Sequence, residues 1–193
     1  WSVFQPLSAV LVFAVFIGRM SGAAQGVADY TLLVLSGVIP WTFFANAVNS
    51  SANSILSNER LVTKTYFPRV ILPVACAGTA LFDFLVASLM LVGWMVATGV
   101  AATPQLLLAP VVFGLLATAA IGFGVLLSGL IASQRDFRQL LAFGMQLWMF
   151  ATPCIYLPAE KIGPAARDWL PLNPAYGLIL NLRACLLGTE LDL

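Results

Sequence analysis

The chain has 193 residues, of which 61% are hydrophobic and only 9% are charged, and its formal net charge is +1. Because a soluble domain has about 25% charged residues, this composition excludes an ordinary water-soluble protein and indicates an integral membrane protein. The apolar runs are continuous, which favours an all-α, polytopic membrane fold over a β-barrel with short alternating segments. The few basic residues are scattered, so nothing indicates nucleic-acid binding.

A helix needs about 20 apolar residues to cross the hydrocarbon core of a bilayer. Five segments approach or exceed that length, and the whole chain is interpreted as a single transmembrane domain, residues 1–193. The predicted spans are residues 1–17, 30–49, 70–100, 105–131 and 140–157. The third span is long for one crossing, so it must tilt, bend near Pro73 or project into water. The first span could instead be a secretory signal, but no basic segment precedes it.

Positive charge is concentrated in two of the connecting segments, residues 50–69 and 132–139. The basic residues there are Arg60, Lys64, Arg69, Arg135 and Arg138. Loops that are rich in lysine and arginine stay in the cytoplasm. The sequence therefore places both loops in the cytoplasm and residues 158–188 on the outer side.

The outer segment differs in character from the spans. Residues 158–174 contain several prolines and charged side chains, and residues 175–187 are apolar but too short to span. We predict interfacial or re-entrant helices here, forming an extracytoplasmic gate segment over residues 158–188.

Residues 36–73 change from apolar to polar along their length. Asparagines and serines recur there at steps of three and four, so a helix would present them as one polar stripe. The residues of this stripe are Asn46, Asn49, Ser50, Asn53 and Ser57.

Three stretches resemble the membrane subunit of type-2 ATP-binding-cassette exporters, in particular those for lipid-linked polysaccharide such as O-antigen, teichoic acid or capsule. They are SG-x-x-PW-x-FF-x-N-A with K-x-YFPR-x-ILP in residues 36–73, RDFRQLLAFGMQLWMFATPCIY in residues 135–156, and LNPAYGLILNLRACLLG in residues 172–188. The resemblance implies a homodimer in the bacterial cytoplasmic (inner) membrane, with a sixth span beyond the end of this sequence. It also implies a lipid-linked glycan as the cargo.

ATP hydrolysis is not expected of this chain, because it contains no G-x-x-x-x-G-K-[ST] loop. It is therefore predicted to be a permease that binds no cofactor itself, with ATP and Mg²⁺ held by a separate ATPase subunit. The resemblance implies that a coupling helix in residues 54–69 docks on that subunit; the alternative is a solvated connecting loop. The candidate coupling residues are Ser57, Asn58, Glu59, Arg60, Lys64, Tyr66, Phe67 and Arg69.

Aromatic side chains are the candidates for a cargo path, because they stack on sugar rings without holding them tightly, and similar exporters line their conduits with them. The candidates are Trp41, Phe43, Phe44, Trp148, Phe150 and Tyr156. The alternative is that they pack in the core or form a belt at the membrane interface. Asp83 is the acid deep in a span, where a charge costs at least about 2.5–3.5 kcal/mol, so it should face protein or water. It is either a substrate or proton site or an acid held by hydrogen bonds from another helix.

Small residues recur every four positions in the fourth span, at Gly114, Thr118 and Gly122 and again at Gly124 and Ser128. This spacing lets helices approach closely, either within the chain or across a dimer. In the fifth span, Pro153 predicts a break that could act as a hinge.

The sequence thus predicts the transmembrane subunit of an ATP-driven exporter for lipid-linked polysaccharide. One alternative is a type-2 permease for drugs or lipids, and another is a proton-coupled secondary carrier that uses Asp83. An intramembrane enzyme is disfavoured, because the chain has no histidine and no paired acids. The three cysteines fit no zinc spacing, so no metal site is predicted.

Overall fold

The computed structural model describes residues 27–64, 68–99, 104–152, 170 and 173–188. Every regular element in that part of the chain is helical, which confirms the all-α prediction. In chain order the elements are α1 (Val27–Ser57), α2 (Glu59–Lys64), α3 (Ile71–Thr98), a 3-10 turn (Pro104–Leu108), α4 (Ala109–Ser133), α5 (Phe137–Phe150) and α6 (Pro174–Leu187).

Three segments are long and apolar enough to cross a membrane: Leu32–Ser57, Ile71–Thr98 and Pro104–Ser133. The last two match the predicted third and fourth spans closely. Helix α5 covers the first part of the predicted fifth span and ends at Phe150, just before the proline at which a break was expected. The predicted span at residues 1–17, the end of the predicted fifth span and the first part of the predicted gate segment, residues 153–169, lie outside the described residues.

Helix α1 continues past Asn49, where the sequence predicted a loop, to Ser57. The amide groups of the polar stripe donate to carbonyl oxygens of the same helix: Asn49 Nδ2 to Ala45 O at 2.9 Å, and Asn53 Nδ2 to Asn49 O at 2.8 Å. Polar side chains that satisfy their donors within their own helix can lie in apolar surroundings at lower cost. The asparagines are therefore compatible with a continued helix, and the connecting segment is shorter than predicted.

Helix α1 is the centre of the bundle. It contacts α3, α4, α5 and α6, and it is the most buried of the three spanning helices. Helices α3 and α4 keep many large apolar side chains exposed on their outer faces, including Phe82, Leu89 and Leu126. Such faces suit lipid or another subunit, since hydrocarbon tails are as apolar as leucine.

A close approach of three helices occurs at Ser51 in α1. The Ser51 hydroxyl donates to the carbonyl oxygen of Pro73 in the first turn of α3 at 2.8 Å. On the other side, Gly124 of α4 faces Ser51, and a Cβ at Gly124 would lie 3.0 Å from Ser51 Oγ and closer still to Ser51 Cβ. Close packing at Gly124 is therefore within the chain, and Ser128 is buried on the same face.

The other half of the small-residue pattern points away from the chain's core. A Cβ added at Gly114 or Gly122 would meet nothing within 4 Å, and the side chain of Thr118 is exposed. The small residues of α4 therefore lie on two faces, and the inner face alone contacts α1 in this chain.

Short-range signals set the helix ends. Helix α3 stops at Gly99, whose φ of 72° lies in the left-handed region and whose N–H bonds to the carbonyls of Met95 and Val96. Helix α6 follows the N-cap Asn173 and ends at Gly188, with φ of 70°. Most of the residues between are buried against α1 and α4, so α6 is packed inside the protein. An interfacial or re-entrant position of this helix in the membrane stays a prediction.

Candidate functional site

An ion pair at one end of the bundle joins the segment between α1 and α3 to the segment between α4 and α5. Glu59 Oε2 of α2 lies 3.7 Å from Arg135 Nη2, in the connection between α4 and α5. Both side chains are largely exposed, at 65% for Glu59 and 74% for Arg135. The two basic segments, residues 50–69 and 132–139, therefore lie on the same side of the bundle, as the charge pattern predicted.

The surface around this ion pair is charged and exposed. Helix α2 contains no buried residue. The other described coupling candidates are also at the surface: Ser57, Arg60, Lys64 and Arg69 are exposed and Asn58 is half-buried. Tyr66 and Phe67 lie outside the described residues. We call this surface, formed by residues 57–64 and 135–138, the basal surface; its side chains contribute little to the core and are free to contact another protein.

The candidate aromatic residues of α1 are divided between two clusters. In the first, Phe44 and Phe123 hold the indole of Trp148 between them, with ring centroids 5.4 Å and 5.5 Å from it, and Trp41 lies 6.4 Å from the same indole. Edge-to-face pairs of this kind contribute roughly 0.5–1.5 kcal/mol each beyond their buried area. This cluster joins α1 to α4 and α5.

The second cluster joins α1 to α3 and α4. The rings of Phe84 and Phe113 are stacked, with centroids 4.1 Å apart and planes 9° apart. Phe43 contacts both of them, at 5.3 Å and 4.8 Å. Side chains from three helices thus form one aromatic cluster.

Burial separates the aromatic candidates. Phe44 is 0% exposed, and Trp41 and Phe43 are also buried, so a cargo could reach them only if the helices moved apart. Phe150 is 60% exposed at the end of α5. Tyr156 lies outside the described residues. A role for these rings as a cargo track stays a prediction, and among the described candidates Phe150 is the one most accessible to a ligand.

Asp83 lies in the middle of α3 and is half-buried. Its neighbour Phe84 packs against α1 and α4, whereas Phe82 on the other side is largely exposed. The carboxyl group is therefore at the boundary between the bundle and its outer surface.

The polar stripe of α1 is half-exposed along the helix. Asn46, Asn49, Ser50 and Asn53 are all partly accessible, whereas the opposite face of the same turns is fully buried. A membrane-spanning helix with a row of accessible amides must face water, protein or a polar ligand there, because polar groups are costly in hydrocarbon.

Asn173 holds a hydrogen-bonded junction that the sequence analysis did not identify. Its Oδ1 accepts from Trp148 Nε1 at 2.8 Å and from the backbone N–H of Ala175 at 3.2 Å, so it caps α6. Its Nδ2 donates to Thr152 Oγ1 at 3.0 Å. One side chain thus ties the end of α5 to the start of α6. The Asn-Pro pair at 173–174 signals a helix start, but no sequence pattern signals the contact with Trp148.

Comparison with known proteins agrees with this architecture. A model of the family described as ABC-2 type transporter matches residues 1–187. The chain is 24% identical over 200 residues to an O-antigen export system permease protein RfbA of Klebsiella pneumoniae, covering 100% of this chain and 73% of the relative. It is 26% identical over 185 residues to the protein of that name from Myxococcus xanthus, covering 95% and 70%.

A second RfbA protein of Klebsiella pneumoniae is 25% identical over 200 residues, again with 100% of this chain and 73% of the relative covered. The family match extends over almost the whole chain, and the helical bundle with its apolar spans is the architecture of a multi-pass membrane protein. The chain belongs to the ABC-2 type transporter family.

Proposed function

We propose that this chain is the permease subunit of an ATP-driven exporter that moves a lipid-linked polysaccharide across the bacterial inner membrane. The relatives described above are O-antigen export permeases. The polar stripe of α1 is the observation on this chain that supports the proposal. The subunit acts as a homodimer and binds a cytoplasmic ATPase, which holds ATP and Mg²⁺. The chain itself binds no cofactor.

A polysaccharide needs a hydrated or hydrogen-bonding path, because its hydroxyl groups cannot enter hydrocarbon unpaired. The row Asn46, Asn49, Ser50 and Asn53 offers such groups along a spanning helix. Asn49 Nδ2 and Asn53 Nδ2 each donate to a backbone carbonyl of the same helix. The side-chain oxygen of Asn53 is buried, so the half-exposed side chains of Asn46, Asn49 and Ser50 are the groups of this row that sugar hydroxyls can reach. Weak, repeated contacts of this kind suit a polymer that must slide.

Replacing Asn46 and Asn49 together by leucine should reduce polysaccharide export by about tenfold or more, because each lost hydrogen bond is worth about 1 kcal/mol. Export is measured as surface polysaccharide per cell, together with glycan retained inside. Thr118→Leu is the control, since Thr118 is a polar residue on the outward face of α4. Export by the double variant at the rate of the control would contradict a path along α1.

The basal surface is proposed to receive the ATPase. Glu59→Arg should lower ATP-driven export severalfold and shift the unfolding midpoint by no more than a few degrees, because an exposed ion pair contributes at most about 1 kcal/mol to stability. Copurification of the ATPase and ATP hydrolysis by the purified complex are the measurements. Thr98→Arg is the matched control, because Thr98 is exposed and lies at the end of α3 that is remote from the basal surface.

The double variant Glu59→Arg with Arg135→Glu separates two explanations. If the ion pair only fixes α2 against the neighbouring connection, the reversed pair restores export. If Glu59 instead contacts the ATPase directly, export stays low in the double variant. Unchanged ATPase binding and export in all charge variants would show that the ATPase docks elsewhere.

A further inference from the structure

An apolar cavity of about 360 Å³ lies between α1, α3, α4 and α6. It is toward the end of α3 that is opposite the basal surface, beside the 3-10 turn. Its walls include Pro40 from α1, Phe84 and Leu91 from α3, Leu106 from the 3-10 turn, Phe113 from α4 and Leu186 from α6. Five separate elements of the chain therefore meet at this cavity.

The lining has almost no hydrogen-bonding capacity. Among the described side chains that line the cavity, Ser88 alone is polar. The cavity has roughly ten times the ~30 Å³ that one water occupies in the liquid, so several waters would be needed to fill it. Each buried water needs two to four polar partners. Water is therefore a poor occupant, whereas apolar molecules do bind in dry apolar cavities.

We propose that this cavity binds one hydrocarbon chain of a bilayer phospholipid. Leu85 and Val92 line the cavity and are also 53% and 46% exposed on the outer face of α3, so the cavity opens onto the exposed apolar face of a helix long enough to span the membrane. Because Ser88 is the one polar side chain among the described lining residues and none of them is charged, the walls do not select a headgroup or a special carrier, and occupancy follows abundance by mass action. Phospholipid is the abundant source of hydrocarbon at that surface.

The bound chain would stabilise contacts that hold the bundle together. Phe84 and Phe113, the stacked pair of the second aromatic cluster, form part of the wall. Leu182 and Leu186 of α6 lie on another side. A chain in the cavity therefore packs against both the aromatic contact of α1, α3 and α4 and helix α6, and this role is independent of the cargo.

The complete protein is reconstituted into vesicles of phosphatidylethanolamine and phosphatidylglycerol and then purified from them into detergent. The test measures which lipid remains bound. Native mass spectrometry should show a retained phospholipid on the wild-type protein and its loss in Ala109→Phe, which fills the cavity from α4. Ala97→Phe makes the same change on the exposed face of α3 and should keep the lipid. Equal retention in both variants, or a wild-type protein without lipid, would overturn the proposal.

A measurement on the wild-type protein covers the case in which Ala109→Phe does not fold. Phosphatidylglycerol with a photoreactive acyl chain is bound, excess lipid is removed with detergent, and the protein is irradiated. Crosslinks to lining residues such as Leu91 and Leu186 support the proposal. Crosslinks confined to outward residues such as Leu89 and Val96 would overturn it. In the mass-spectrometry experiment, retention of an isoprenoid lipid in place of phospholipid would also overturn it.

Discussion

Gly124→Ala should lower the thermal unfolding midpoint of the protein, whereas Gly122→Ala on the same helix should leave it unchanged or raise it. The Cβ of an alanine at 124 would be forced against the side chain of Ser51, and overpacking of this kind costs typically about 1–3 kcal/mol. At Gly122 the new methyl meets nothing within 4 Å, so the better helix propensity of alanine, up to about 1 kcal/mol, is not opposed.

The cause can be isolated with the double variant Ser51→Gly, Gly124→Ala. Removing the Ser51 side chain relieves the clash, although it also removes the hydrogen bond to Pro73. The two changes should therefore be less destabilising together than the sum of the single changes, as expected for residues in contact. Additive midpoints, or equal behaviour of the 122 and 124 variants, would show that α1 and α4 do not approach at this point.

Asn173→Ala should destabilise the protein by about 2–4 kcal/mol, as the sum of a lost helix N-cap and an unpaired donor left at Trp148. The replacement removes the acceptor for Trp148 Nε1, the cap of α6 and the donor to Thr152. The measurement is the unfolding midpoint in detergent, with limited proteolysis to detect loosening of α6. Asn58→Ala is the control, because the side chain of Asn58 donates to the carbonyl of Ser54, which the backbone N–H of Asn58 also contacts, so its loss leaves that carbonyl with a partner.

A mutant cycle with Trp148→Phe checks the mechanism. Phenylalanine has no N–H, so it leaves no orphan donor once Asn173 is replaced. Asn173→Ala should then be less destabilising in the Trp148→Phe background than in the wild type, with a coupling of about 0.5–3 kcal/mol. Zero coupling would mean that the indole and the amide do not share the hydrogen bond.

The spans were the most predictable part of this fold. Continuous apolar runs in residues 70–100 and 105–131 predicted helices that the structure places at Ile71–Thr98 and Pro104–Ser133. The end of α1 was less predictable. A run of asparagines and serines is typical both of a solvated loop and of a helix whose side chains bond back to it, and the bonds to carbonyls four residues earlier distinguish the two.

The environment of the candidate residues was harder to predict, because a helix that is apolar all round has no clear inner face. The spacing of Trp41, Phe43 and Phe44 does not indicate which ring is covered by α5 and which by α3. The same is true of the small residues of α4: their spacing permits two packing faces, and contact with Ser51 distinguishes Gly124 from Gly122.

By itself the sequence determined the membrane setting, the helical class and the spans that contain α3 and α4, because these depend on composition and on runs of neighbouring residues. The tertiary structure alone decided that the two basic connections meet through Glu59 and Arg135, that Asn173 joins α5 to α6, and that an apolar cavity opens between four helices. Each of these features brings together residues from different helices. Their contacts depend on how the helices are rotated and packed, and the order of residues along one helix does not encode that rotation.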